Sequence, residues 1–361
     1  MTNPNIAPRP RPNDGGNQLA EIGGQPVVFS YADVRAEYDA LRERAIVVDR
    51  SHRGRVRFLG DKAAEALTGL VTSDIISLAP GHGRYGAALT AKGRIIADVR
   101  IFANGGSYLV DSAPRASAGW MAMVKKYVNP RVAGYRDDSH AVRDIGLFGP
   151  DARRIVAELA GLHAAALQDL QPYANVSATI AASPVLVARV PDLGVEGYDL
   201  FVPFEIFESV WRAAVEAGAS PAGLGAWEIA RVEAGRPEWG IDIDDNTIPQ
   251  EANFDELDAI SYTKGCYIGQ EVVARVHFRG HVNRHLRGLR SASVDGPATG
   301  AQLFDDAGAH VGEVRSSVSS PRLGGIAIGM VRREIEPGTA LNAKWETGER
   351  RVDVSALPFP A

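Results

Sequence analysis

From Arg284 onward the chain divides into six short runs, HLRGLRSA, AQLFD, HVGEVRSS, GGIAIGMVRR, TALNAKW and RRVDVSA, each set off by turn-forming residues. Strands this short and this evenly spaced bury little unless the sheet closes on itself, so residues 284–361 are expected to form a small β-barrel. The rest of the chain mixes both element types. YADVRAEYDALRERAIVVD places Val34, Tyr38, Leu41 and Ile46 near helical spacing, and RVRFLG then alternates as a strand. DKAAEALTGLVTSDI reads as a second helix. RYGAALTAKGRIIADVRIFANGGSYLVDS reads as three strands broken at Lys92–Gly93 and Asn104–Gly105–Gly106, with an amphipathic helix following around Trp120 to Tyr127.

AVRDIGLFGPDARRIVAELAGL runs from a strand through Gly149–Pro150 into a helix and opens a second unit, which two more strands and a helix continue through residue 218. Strand and helix alternate without the regularity of a βα barrel, which predicts an α+β protein. The expected divisions are a first α+β subdomain over 27–142, completed by about 223–283, a second over 143–222, and the barrel. Residues 1–26 are dominated by Pro, Asn, Gly and Arg and are expected to be a flexible tail.

Composition sets the surroundings. With 45% hydrophobic and 23% charged residues the chain can bury a core, and its net charge of −5 gives no bulk attraction to nucleic acid. One cysteine excludes an internal disulfide and suits a reducing compartment. No apolar run reaches bilayer-spanning length and no basic start leads into an apolar stretch, so a cytoplasmic protein without a membrane partner is expected.

The single cysteine, Cys266, lies in TKGCYIGQEVVAR, ahead of a helix expected to begin near Gln270 and Glu271. A helix N-terminus and Lys264 two residues away favour thiolate, which would make the sulfur reactive; the other reading is an inert buried thiol holding a turn. His277, His281 and His285 recur every four residues, but Gly280 interrupts the helix and no fourth ligand is in view, so no metal site is expected. Arg275, Arg279, Arg284, Arg287 and Arg290 make a basic run that reads as a solvated face or as a surface for phosphates. Gly149–Pro150 lacks the glycines of a dinucleotide or Walker loop, and the sequence contains no nucleophile elbow and no CxxC pair.

KGCYIGQE, together with LRERAIVVD, DRSHRGRVRFLGDKAAEALTGLVTSDI and IARVEAGRPEWGIDIDDNTIPQEA, resembles the YgfZ-type folate-binding proteins, relatives of the glycine-cleavage T protein, an aminomethyltransferase. The resemblance runs from about Tyr31 into the C-terminal region. It implies a three-subdomain ring around a central folate-sized cavity and tetrahydrofolate or a derivative as ligand. It also implies iron–sulfur client or assembly proteins as partners, and a signature of Lys264, Gly265, Cys266, Tyr267, Gly269, Gln270 and Glu271. Nucleic acid is not an expected partner.

T proteins carry a pterin-recognising Glu in a segment like GYTGEDGYEI; in LGVEGYDL, anchored on Gly197 and Tyr198, Val195 takes that place and Glu196 follows it. In a strand, a one-residue slip turns the side chain to the other face. T proteins also pair two aspartates in a pattern like GGIIDDL, the first assisting transfer; GRIIADV puts Ala97 first and Asp98 second. Arg231 aligns with a helix arginine near the folate, and Tyr85 with a cavity-lining tyrosine. The residues expected to bind folate are therefore Tyr85, Asp98, Glu196, Tyr198 and Arg231. The expected function is a folate-binding protein supporting iron–sulfur cluster assembly or repair in selected enzymes, without aminomethyl transfer. A tetrahydrofolate-dependent aminomethyltransferase or demethylase stays open. So does an RNA-modification accessory protein, if the arginines from Arg275 to Arg290 form one exposed surface.

Overall fold

The structure is a computed structural model that describes residues 11–12 and 17–360. Both breaks read in the first strand group are hairpins: Gly93, Gly105 and Gly106 all adopt positive φ, which a Cβ makes costly. They join Gly83–Leu89, Ile95–Asn104 and Ser107–Ser112 into an antiparallel meander, which Gly54–Leu59 and Gly134–Asp137 extend to five strands. The helix Ser117–Tyr127 covers one face, with Trp120 packed among Val99, Ile101 and Val110.

A second sheet runs in the order Asn175–Ile180, Ser183–Arg189, Gly197–Pro203, Val142–Phe148, Ile46–Asp49 and Ser220–Pro221. Helices Ala152–Ala160 and Phe207–Glu216 close its outer face over Ile145, Leu147 and Leu200. Here two expectations are corrected. The first helix stops at Glu43 rather than reaching Ile46, and Ile46–Asp49 is a strand paired antiparallel to Val142–Phe148 and parallel to Ser220–Pro221. This strand therefore belongs to the second sheet although it lies within 27–142. The expected tail is also shorter: Gln18–Ile22 and Gln25–Ser30 pair as an antiparallel hairpin with Ala20 and Ile22 buried, and Arg11–Pro12 adds to its edge. Residues 1–10 and 13–16 of the expected tail lie outside the described residues.

The six C-terminal runs close into a barrel in the order Arg284–Ser291, Gly324–Arg332, His310–Ser320, Gln302–Phe304, Ala340–Trp345 and Gly348–Ser355. Closure removes both sheet edges. The barrel's GGIAIGMVR strand is apolar as far as Val331 because both its faces are covered there. Ala327 and Val331 fill the barrel with Leu289, Leu303 and Leu341, while Ile326, Ile328 and Met330 face a core shared by the whole molecule. Phe148, Phe201, Trp227, Phe254 and Leu286 complete that shared core, so the three subdomains meet around one centre. Among the described residues no helix is long and apolar enough to cross a membrane.

Candidate functional site

Strand alternation decides what the centre contains. Along Ile95–Asn104, Ala97, Val99 and Ile101 point into the core beneath the helix Ser117–Tyr127, whereas Asp98 faces a cavity at the centre. An acid at position 97 would enter that apolar core, so the absence of the first aspartate does not leave the cavity without a carboxylate. Asp98 is buried; the Tyr85 hydroxyl donates to its Oδ2 at 3.0 Å, and its Oδ1 has no hydrogen-bond partner among the described residues. Burial raises its pKa above the ordinary carboxylate range, with Arg53 and Tyr85 opposing.

Tyr85 stacks on Tyr173 with ring centroids 6.0 Å apart and leans on Phe254 at 5.2 Å. Tyr173 holds a left-handed backbone at φ 64°, and nothing in its local sequence announced a role. These two tyrosines and Arg236 border two spaces. An inner cavity of about 40 Å³ is lined also by Arg53, Asp98, Asp192, Trp227 and Glu238. An outer pocket of about 410 Å³ is lined also by His82, Arg84, Pro191 and Glu256.

The inner wall is a buried ion network. Arg100 Nη1 lies 2.6 Å from Asp199 Oδ2, and Arg50 Nη1 lies 2.8 Å from the same oxygen. Arg100 Nη2 and Arg53 Nε reach Asp111 Oδ1 at 2.6 and 2.7 Å, and both Arg50 and Arg100 reach Asp192. Arg53, Arg100 and Asp111 come from the first sheet and its approaches, Asp199 from the second. The network thus ties the two sheets together across the centre. Within it Asp144 is fully buried, neither oxygen is hydrogen-bonded among the described residues, and burial beside Asp199 pushes its pKa up to about 8.

Three expected ligand residues are committed to other partners or lie away from the cavity. Arg231 lines the inner cavity, but all five of its N–H donors are used. Nε and Nη2 grip Glu228 at 3.1 and 2.7 Å, Nη1 reaches Asp242 Oδ2 and the Arg236 carbonyl at 2.7 Å, and Nη2 also reaches Ser316 Oγ at 2.8 Å. It fastens the helix Leu224–Glu233 to the barrel strand and has no donor left for a ligand. Glu196 points away from the centre: Arg153 holds it through Nε at 2.7 Å and Nη2 at 2.8 Å, and the Tyr198 hydroxyl donates to it at 2.6 Å. Tyr198 is buried in the outer core of the second sheet, while Val195 packs toward the centre. Glu196, expected among the folate-binding residues, is thus turned from the centre by the one-residue offset from Val195. The cation facing both spaces is Arg236, five residues past Arg231. Burial works against its charge, yet Tyr173, Asp192 and Tyr85 hold its pKa above the ordinary guanidinium value.

The KGCYIGQE segment divides its labour by residue. Lys264 Nζ donates to three backbone carbonyls, of Thr68 and Val71 at 2.6 Å and of Ser73 at 2.7 Å, and sits 4.6 Å above the Tyr267 ring. Burial pushes its pKa down to about 7, and the three acceptors keep the charged form in place. Tyr267 enters the shared core. Gly269, at φ 83°, lets the helix Gln270–Arg279 rest on the Thr90–Gly93 turn: a Cβ there would stand 2.5 Å from the Thr90 carbonyl. Gly265 and Cys266 are exposed, as is Glu271. The inert buried thiol is therefore excluded, and the helix begins four residues after the sulfur rather than beside it. Lys264→Met is expected to lower unfolding free energy by about 2–4 kcal/mol, because three carbonyls lose a charged donor. Urea unfolding would show it, together with faster amide exchange across 263–269.

The histidines and arginines of this region do not form one surface. The helix ends at Arg279; His277 stacks on Tyr262 at 3.6 Å, His281 lies beyond it, and His285 is in the first barrel strand. Arg275 and Arg279 are exposed on the helix, but Arg284 pairs with Glu251 at 3.0 Å and Arg290 binds the Pro360 carbonyl at 2.6 Å. The condition set for an RNA-modification accessory protein is not met.

Two family models match the chain, the GCVT N-terminal domain over residues 16–259 and the glycine cleavage T-protein C-terminal barrel domain over residues 284–360. Similar proteins include the aminomethyltransferase of Nostoc sp., 31% identical over 314 residues, covering 85% of this chain and 82% of that protein. The aminomethyltransferase of Saccharopolyspora erythraea is 30% identical over 354 residues, covering 95% and 94%. Among solved structures, the glycine cleavage system aminomethyltransferase T from Bartonella henselae superposes with a TM-score of 0.86 at 22% identity, over 96% of this chain and 95% of that one.

Proposed function

We propose, for a chain that belongs to the glycine cleavage T-protein family, that it binds a reduced folate along Tyr85 and Tyr173 and supports iron–sulfur enzymes through its exposed Cys266 loop, as YgfZ-type proteins do. One observation carries the binding: Asp98 Oδ1 is a buried acceptor without a partner among the described residues, beside an aromatic wall. A pterin N–H satisfies that oxygen, and leaving it unpaired costs about 1–3 kcal/mol. The outer pocket, at about 410 Å³, falls within the range of small-ligand sites. Its cations, Arg84 and Arg236, suit the carboxylates of a glutamate tail. The inner cavity admits the donor edge of the ring system rather than the whole of it.

The second half of the reading draws on the anchored loop. Lys264, Tyr267 and Gly269 fix it to the body while the thiol faces solvent, an arrangement for contact with another protein in a reducing, cytoplasmic setting. Aminomethyl transfer is a second reading, favoured by the same Asp98: a buried carboxyl with a raised pKa can hold or accept a proton beside a reacting amine.

Anaerobic titration calorimetry with tetrahydrofolate tests the binding. The protein is expected to bind, and Asp98→Asn to weaken binding about ten- to hundredfold, the value of a hydrogen bond to a charged group. No heat and no thermal shift at millimolar ligand would refute it. Adding an aminomethyl-lipoyl donor separates the two readings. Methylene-tetrahydrofolate formed at a rate that Asp98→Asn abolishes selects the transferase; intact binding without turnover selects the first.

A further inference from the structure

We infer that Glu238 is the second carboxylate of this site, accepting one of the two adjacent donors of the pterin edge while Asp98 accepts the other. The inference rests on the folate reading above and follows from counting acceptors. A ring N–H and its neighbouring amino group present two donors side by side. Asp98 has one oxygen to offer, since Tyr85 occupies Oδ2. A second acceptor must come from another residue of the cavity wall. The acids lining the inner cavity are Asp98, Asp192 and Glu238, and Asp192 is held by Arg50 and Arg100 at 3.1 and 3.2 Å. Glu196 is bound to Arg153. Among the described residues none hydrogen-bonds the Glu238 carboxylate.

The backbone of Glu238 is fixed although its carboxylate is not engaged. After the helix Leu224–Glu233 the chain turns at Gly235 (φ 64°) and again at Gly240 (φ 83°), and the residues between them form the wall. The Glu238 N–H donates to Asp242 Oδ2 at 2.9 Å, and its carbonyl accepts from the Asp242 N–H at 2.9 Å. Asp242 is the residue that Arg231 and Ser316 grip. Arg231 is therefore a positioning residue for Glu238, acting through Asp242.

The charged groups around Glu238 include Arg53 and Asp98 from the first sheet and its approach, Glu228 and Arg231 from the helix, and Arg50, His52, Arg100, Asp192 and Arg236 along the same walls, with Arg115 bordering the adjoining space. Burial pushes the Glu238 carboxyl up to about 7, with Arg53 opposing and Asp98 adding. The ionised form is the better acceptor. A carboxyl titrating near 7 is about a tenth ionised at pH 6 and about nine-tenths at pH 8. Affinity for the pterin edge therefore rises about tenfold between those values.

The test uses two fragments of the ligand, 6-methyltetrahydropterin for the ring and p-aminobenzoylglutamate for the tail, titrated calorimetrically under anaerobic conditions. For the native protein, 6-methyltetrahydropterin binding should strengthen about tenfold from pH 6 to pH 8. Glu238→Gln should remove that gain and weaken the ring fragment about tenfold or more at pH 8, leaving the tail fragment unchanged. Glu238→Asp should keep the pH dependence in weakened form. Equal affinity of native and Glu238→Gln proteins for the ring fragment would overturn the inference. So would a parallel loss of both fragments or of the cooperative thermal transition, since either marks a structural role. Native protein that binds neither the ring fragment nor tetrahydrofolate would overturn the folate reading itself.

Discussion

Arg231→Ala is expected to lower the free energy of unfolding by about 3–5 kcal/mol, the cost of removing one partner from a buried ion pair. The size follows from what stays behind. Asp242 is fully buried and would face Ser316 and a backbone N–H with no cation, Glu228 would lose a two-point grip, and the Arg236 carbonyl would lose a donor. Asp242 is held where water cannot replace the guanidinium. Arg231→Lys should recover less than half of the loss, because an ammonium cannot reproduce a planar five-donor fork. Urea unfolding of the three proteins would measure this. The tetrahydrofolate titration of Arg231→Ala, run at a temperature where it remains folded, should also show weakened binding through the displaced Glu238. A fully stable Arg231→Ala protein that had lost only folate affinity would mean that Arg231 contacts the ligand after all.

Cys266→Ser is expected to abolish support of iron–sulfur enzyme activity in cells that lack the protein, without altering fold or folate affinity. The thiol is exposed and so is Gly265 beside it, so there is no apolar slot in which a hydroxyl would be stranded. The change in stability should stay within about 0.5 kcal/mol, as for surface substitutions generally. That separation gives the experiment its force: lost complementation cannot be put down to lost protein. Cys266→Ala should behave the same way, and a small alkylating reagent should modify the folded protein at least as fast as the urea-unfolded one. Full complementation by Cys266→Ser would leave the loop without a role for sulfur.

Much of this was legible from local patterns. The barrel could be read because six alternating runs with turn residues between them encode strand length and turn position directly, and the two glycine breaks of the first sheet were visible for the same reason. Tyr85 and Asp98, expected to bind folate, both line the inner cavity. Arg231 was also placed at the cavity wall, but its alignment with a helix arginine could not show that Glu228, Asp242 and Ser316 consume every donor. Tyr173, Arg236 and Glu238 went unread. Their places on the cavity wall come from a left-handed residue and from two glycine turns that bracket a short wall segment, and neither has a periodic signature. Only the RPEWG stretch itself, with an acid and a base between two glycines, could have prompted the search.

The sequence by itself determined most of the strands and helices, the six barrel strands among them, and which residues make up the KGCYIGQE motif, because period, turn chemistry and motif are properties of neighbouring residues. Tertiary structure decided which side of each strand is the inside. Ala97 and Asp98 differ by one position and by a whole core, because an apolar helix covers one face of their strand and the molecular centre lies on the other. It also decided that Ile46–Asp49 leaves its sequence neighbours for partners about a hundred residues away. In KGCYIGQE it separated anchors from the exposed thiol by supplying three carbonyls from a distant turn to Lys264 and none to Cys266. Burial and pairing are relations between remote segments, fixed only when the chain closes on itself.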